Sequence, residues 1–180
     1  MKNAAEKYAA ELKQSEHDHH TPTAGAMIGH IIANLKIHQA KLQQGRFYAQ
    51  GEASPFVQAA FGEMAEQESE LVDELALLML DEGEVIPTTT AEFQQYTMLE
   101  ESGQLKYEAA DVLLMTAAKD FTTQNLFITR GIKLAEKETK YPLQTFLIKL
   151  LSFNQRQIRT IQTYLGHELT EGLTEEDEDE

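Results

Sequence analysis

Apolar residues recur every three or four positions along most of the chain, which is the spacing of one face of an α-helix. This spacing predicts four long helices, from about Thr23 to Gly45, Ser54 to Glu82, Gln104 to Lys137 and Pro142 to Leu165. No segment alternates apolar and polar residues with the period of a strand. The pattern therefore predicts an all-α fold without a sheet.

Capping and turn residues mark where these helices begin and end. Asn3 is suited to cap a short amphipathic helix ahead of the first long one, and Ser54 to cap the second ahead of Pro55. Gly45 is expected to end the first long helix, and AEFQQY to form a short helix after EVIPTTT. Four long helices with a long connection between the second and third indicate a ferritin-like four-helix bundle. The short helix lies in that connection, and the N-terminal helix is an addition.

Size and composition suit one domain, since 42% of the 180 residues are apolar. We expect an N-terminal amphipathic arm over residues 1–22, the bundle over 23–166 and a disordered acidic tail over 167–180. Zero cysteines exclude disulfides and thiolate metal sites. MKNAAEKYAAELK lacks the apolar run of a signal peptide, and no apolar stretch is long enough to span a bilayer. We therefore expect a cytoplasmic protein without membrane contacts.

The formal net charge of −15 is spread unevenly, because the last residues of the chain are almost all acidic. Such a balance argues against nucleic-acid binding by the whole surface, since affinity there comes mainly from neutralised phosphates. Any DNA contact requires a local basic arm or bridging cations. Lys2, Lys7 and Lys13 on the N-terminal helix supply such an arm, and no element is shaped to read base edges, so we expect no sequence preference.

The second predicted helix carries its acidic residues on one side. At about 100° per residue, one third of its circumference holds Glu63, Glu66, Glu70, Asp73 and Glu74, and the apolar residues take the opposite side. A face of this kind is either simply solvated or, if it lines a cavity or an interface, able to bind iron through adjacent carboxylates.

Several segments of this sequence, taken in order, resemble the Dps family of DNA-protecting miniferritins. SPFVQAAFGEMAEQESELVDEL is similar to the second helix of that family, and PTTTAEFQQYTMLEE to its inserted short helix. ITRGIKLAEKETKYPLQTFLIKLL, followed by RQIRTIQTYLG, is similar to the end of the third helix, the turn and the last helix. The resemblance covers roughly residues 24 to 165. It implies a hollow shell of twelve subunits that oxidises ferrous iron, stores ferric mineral and often binds DNA, which makes nucleoid association an expectation.

The iron centre of the family lies between two subunits and uses two histidines, an aspartate and an Asp-x-x-x-Glu pair. In the best register Glu70 and Glu74 match the carboxylate pair. The same register places Lys41, Pro55 and Ala59 where the two histidines and the aspartate are expected. The resemblance thus implies a ferroxidase whose centre is non-standard or weakened.

Two further sets of residues are candidates for metal chemistry. His17, His19 and His20 lie in HDHH, whose imidazoles suit zinc, nickel, copper or iron, although such a tract is also typical of a linker that picks up metals adventitiously. His38 and Glu68 each place a polar group on an apolar face. A satisfied core hydrogen bond is the main interpretation for them, and a metal role the alternative.

Three hypotheses of function remain at this point. The first is a Dps-like shell that binds and stores iron as Fe2+ and Fe3+ and guards DNA against oxidative damage. The second is a DNA- or partner-binding cage or bundle without ferroxidase activity. The third is an ordinary helical bundle of one or two chains whose acidic surface binds a basic partner.

Overall fold

The structure, a computed structural model, describes residues 2–173 apart from the side chain of His19. The helices in this part of the chain are α1 Ala4–His19, α2 Ala24–Tyr48, α3 Ser54–Asp81, α4 Thr90–Tyr96, α5 Ala110–Lys137 and α6 Tyr141–Leu165, with a 3-10 turn at Leu105–Tyr107. No strand occurs within residues 2–173, so the all-α prediction is confirmed.

Side-chain caps start three of the helices. Asn3 forms a capping box with Glu6 at α1, as predicted, and Thr89 forms one with Glu92 at α4. The side chain of Thr23 accepts a hydrogen bond from the Ala26 amide at the start of α2. These bonds satisfy amide groups that have no partner within the helix.

Three predicted helix ends were wrong. Ala53 is the N-cap of α3, so Ser54 is already its first helical residue. The predicted helix from Gln104 is broken, because Leu105–Tyr107 forms a separate 3-10 turn and α5 begins at Ala110. The first long helix runs past Gly45 to Tyr48. Tyr107 lies in the 3-10 turn and is 75% exposed.

The long helices form a four-helix bundle. α2 packs along α3 and α5, α5 packs along α6, and α6 closes the square against α3. α3 and α5 therefore occupy diagonally opposite corners. α4 crosses α2. The carbonyl oxygen of Tyr96, at the end of α4, lies 2.8 Å from Nδ1 of His30 in α2. The side-chain oxygen of Asn34 in α2 accepts a hydrogen bond from the Met98 amide at 2.8 Å. None of the helices in residues 2–173 combines the length and apolar character that a membrane span needs.

The interior contains two apolar clusters separated by a polar layer. One cluster holds Leu35, Leu75 and Leu150, and the other holds Leu42, Phe61 and Phe121 among others. The residues between them, which we call the polar layer, are His38, Glu68, Gln124 and Asn154. Each of the four long helices contributes one of these side chains.

The start of the predicted tail packs on the bundle. The side-chain amide of Gln162 donates to the carbonyls of Leu169 and Glu171, at 3.3 and 2.8 Å, and Leu173 contacts the second apolar cluster. Residues 174–180 of the predicted tail lie outside the described residues.

Gly45 provides the close approach of α2 to α3. A Cβ atom at this position would lie 2.7 Å from the Phe61 ring, nearer than side chains approach one another. We expect Gly45→Ala to lower the free energy of unfolding by about 1–3 kcal/mol, because a fully buried ring has little room to shift. Gly29→Ala on the same helix is the control. Its Cβ would meet nothing within 4 Å, and it should add up to about 1 kcal/mol through helix propensity. Urea unfolding measures both, and equal effects would contradict this view of the contact.

Candidate functional site

Four ionisable side chains meet inside the bundle at the level of the polar layer. His38 Nδ1 and Glu68 Oε1 lie 2.6 Å apart, and Lys41 Nζ and Asp120 Oδ2 also 2.6 Å. His38 Nε2 faces Asp120 Oδ2 at 3.9 Å, which links the two pairs. We call these four residues the buried quartet. They come from α2, α3 and α5, so they connect three helices.

The surroundings of the buried quartet change the pKa of one of its members, Glu68. Burial raises the pKa of Glu68 above its ordinary value, while the charge and the hydrogen bond of His38 act in the opposite direction. Desolvation is the largest of these causes, so the interior disfavours the charged form of the Glu68 carboxyl. The ring of His38 also packs edge-on against Phe121, with centroids 4.6 Å apart.

The core hydrogen bond expected of His38 and Glu68 is confirmed by their mutual contact, but their second polar atoms, His38 Nε2 and Glu68 Oε2, are buried without a hydrogen-bond partner among residues 2–173. Spacing along the sequence did not reveal Lys41 and Asp120 as their neighbours. A signal for Asp120 was present, because it adjoins Ala117, Phe121 and Gln124 on the inner side of its helix. Among residues 2–173 no group of three or more His, Asp or Glu is placed to hold a metal ion. The ammonium group of Lys41 balances a carboxylate in the quartet instead.

The acidic residues of α3 form one exposed face, which we call the acidic face. Its members are Glu63, Glu66, Glu70, Asp73 and Glu74, all exposed. Glu74 pairs with Lys149 of α6 at 2.6 Å, and Glu63 accepts a hydrogen bond from Gln67 at 3.3 Å. α3 contains neither Lys nor Arg, so its own sequence supplies no cation to neutralise this face. Glu70 and Glu74 lie one turn apart, as the sequence predicted.

The remaining candidates lie on α1 or directly beside it, away from the quartet. Lys2, Lys7 and Lys13 are exposed, as are His17 and His20, while the side chain of His19 lies outside the description. α1 contacts the bundle mainly near its C-terminal end, where Ser15 Oγ lies 3.0 Å from the hydroxyl of Tyr96. The apolar residues Tyr8 and Leu12 on this helix are 51% and 50% exposed.

Comparisons with known proteins agree with this architecture. A protein-family model described as "Ferritin-like domain" matches residues 26–169. The crystal structure of DpsB from Lactococcus lactis is 41% identical over 91% of this chain and 94% of that one, with a TM-score of 0.86. The chain belongs to the Dps family of ferritin-like proteins.

Other Dps structures show how far the likeness extends. Lactococcus lactis DpsA is 38% identical over 94% of this chain and 99% of that one, with a TM-score of 0.89. Dps from Listeria monocytogenes is 22% identical over 84% of this chain and 98% of that one, with a TM-score of 0.80, and that likeness concerns the fold alone. No curated protein matches the chain.

The buried quartet should behave as a unit in this Dps protein. We expect His38→Leu to lower the free energy of unfolding by about 1–3 kcal/mol, because it leaves the buried carboxyl group of Glu68 without its hydrogen-bond partner. Replacing both residues by leucine should cost less than this single change, since no polar group is then left unpaired. Chemical unfolding at pH 7 measures both variants. Glu70→Leu on the exposed side of α3 is the control, expected within about 0.5 kcal/mol of the wild type. Glu68→Leu alone completes the comparison, and additive effects of the two single changes would mean that the residues do not interact.

Proposed function

We propose that twelve copies of this chain assemble into a hollow shell in which the acidic face of α3 binds iron. The function of the chain is Dps-like, namely iron storage and protection of DNA, as its family membership and its bundle indicate. The shell, the iron-binding residues and the DNA contacts are the proposal. A cytoplasmic location with association to the nucleoid follows from the same proposal.

The acidic face is the observation that carries this proposal. Five carboxylates lie along one side of α3, and of these only Glu74 is paired with a cation within residues 2–173. Carboxylate oxygens are hard ligands suited to iron ions, and side chains one helical turn apart are close enough to bind the same ion. A face of this kind gathers iron when several copies enclose a cavity. The iron is cargo here.

Oxidation of the iron is expected to be weak. The register of the family places Lys41, Pro55 and Ala59 at three of its five ligand positions. Lys41 is buried and bound to Asp120, while Pro55 and Ala59 have no side-chain donor atom. Glu70 and Glu74 are left to bind iron without the imidazoles that complete the family centre. The alternative, a DNA- or partner-binding cage without ferroxidase activity, keeps the same shell.

The N-terminal arm is the proposed DNA contact. Lys2, Lys7 and Lys13 are exposed on an arm whose helix contacts the bundle mainly near its C-terminal end. Each arm neutralises few phosphates, so affinity depends on many arms binding together and falls as salt rises. The histidines at positions 17, 19 and 20 lie at the base of this arm, where they are candidate ligands of a transition-metal ion.

Replacing Glu70 and Glu74 together by alanine should slow iron uptake. The initial rate of aerobic Fe(II) oxidation and the iron retained per chain should fall by about tenfold, the lower end of what loss of metal-orienting groups costs. The control is Glu100→Ala with Glu101→Ala, which removes two exposed carboxylates of the loop after α4. Unchanged uptake in the first variant would remove Glu70 and Glu74 from the mechanism.

Deleting residues 1–20 should leave the assembly intact and largely abolish DNA retardation in gels at physiological salt. The reason is that the deletion removes every arm lysine from each subunit. Deleting residues 175–180 is the control, because it also shortens the chain but removes only acidic residues. Full DNA binding by the shell that lacks residues 1–20 would refute the arm and favour a bridge by divalent cations.

A further inference from the structure

The exposed side of α5 carries positive charge over most of its length. Lys119, Arg130, Lys133 and Lys137 fall within about 80° of the helix circumference, and all four are exposed. Thr123 and Leu126 fill the same side between them, and no Asp or Glu lies there. At about 1.5 Å per residue, this row is about 27 Å long. We call the four cations the basic stripe.

The charges of the basic stripe are not neutralised within the subunit. Lys41, Lys140 and Lys149 each lie 2.6 Å from a carboxylate oxygen. No ion pair within residues 2–173 involves any member of the stripe. Four cations thus remain available to an external anion on a chain whose net charge is −15.

Negative charge is concentrated elsewhere in the molecule. α2 and α6 contain no Asp or Glu, whereas α3 contains acidic residues and no Lys or Arg. Because α3 and α5 occupy opposite corners of the bundle, the acidic face and the basic stripe point in opposite directions. A polyanion at the stripe therefore lies on the far side of the bundle from the repelling carboxylates.

The arm and the basic stripe meet at one end of the bundle. α1 ends at His19, and the Ala24 amide that begins α2 donates to Glu138 Oε1 at 3.0 Å, just beyond the end of α5. The arm therefore leaves the body beside Lys133 and Lys137. One long polyanion can reach both.

We propose that the basic stripe is a second DNA contact, which binds the phosphate backbone directly alongside the arm. It rests on the proposed function, and it assigns part of the DNA affinity to the bundle itself. A duplex lying along 27 Å of helix presents about 16 phosphate charges, far more than four cations require. The basic stripe recognises the negative charge of the backbone and not the base sequence, since lysine and arginine on one helix face contact phosphates without sequence preference.

The test compares two triple variants of the full-length protein that lose the same charge. One replaces Arg130, Lys133 and Lys137 by glutamine, and the other replaces Lys149, Arg156 and Arg159 of α6. DNA affinity is measured with a duplex of arbitrary sequence between 50 and 200 mM salt, roughly the range over which phosphate contacts decide affinity. The stripe variant should bind at least about tenfold more weakly. The slope of log affinity against log salt concentration should be less negative by about 2.7 for each subunit in contact with DNA. The reason is that each of the three lost phosphate contacts contributes about 0.9 to this slope. The α6 variant should stay within about twofold of the wild type.

Each other outcome has a defined meaning. Equal losses in both variants would show that only net charge matters, and no loss in the stripe variant would show that the stripe does not touch DNA. Either result overturns the proposal, and so does a stripe variant whose native mass is lower than that of the wild type, because the stripe would then be an interface between subunits. Absence of DNA binding by the wild-type protein would instead be a failure of the proposed function. Loss of binding on deletion of residues 1–20, with a stripe variant like the wild type, would leave the arm standing and remove the stripe alone.

Discussion

Pairing of the side chains within the buried quartet is the interaction on which the arrangement of the bundle depends. A buried group without a partner is costly, by about 1–3 kcal/mol for an unpaired hydrogen-bonding group and by several kcal/mol for an ion. Glu68 therefore needs His38, and Asp120 needs Lys41, at the 2.6 Å that the structure gives each pair. These pairs can form only if α2, α3 and α5 are rotated and shifted to one relative position. The apolar clusters on either side contribute most of the burial, but apolar contacts alone discriminate less between helix positions.

That rotation also decides what the outer surface presents. With Glu68 directed inward, the other acidic residues of α3 face outward and form the acidic face. With Asp120 and Phe121 directed inward, the far side of α5 presents the basic stripe. The diagonal placement of α3 and α5 then separates the two charges across the width of the bundle. One subunit thus presents carboxylates on one side and cations on the other, although the chain as a whole is strongly acidic.

The sequence predicted the helices and the fold well, because burial of a stripe at helical spacing is a property of each segment by itself. Asn3 was recognised as a cap for the same reason, since its capping bonds are local. The helix ends at Gly45 and Gln104 could not be predicted in this way. Gly45 lies inside α2, where it allows the close approach of Phe61, a residue from another helix. The partners in the buried quartet are likewise separated in sequence, so spacing revealed two polar residues on apolar faces without revealing Lys41 and Asp120 beside them.

Storage of iron inside an assembled shell is the central claim, and native mass spectrometry of the protein after aerobic exposure to Fe(II) tests it most directly. Twelve chains of 20.3 kDa correspond to a species of about 244 kDa. The account predicts this species, together with a further mass of retained iron that survives gel filtration. A species of one or two chains, or a shell of twelve chains that retains no iron after gel filtration, would contradict it.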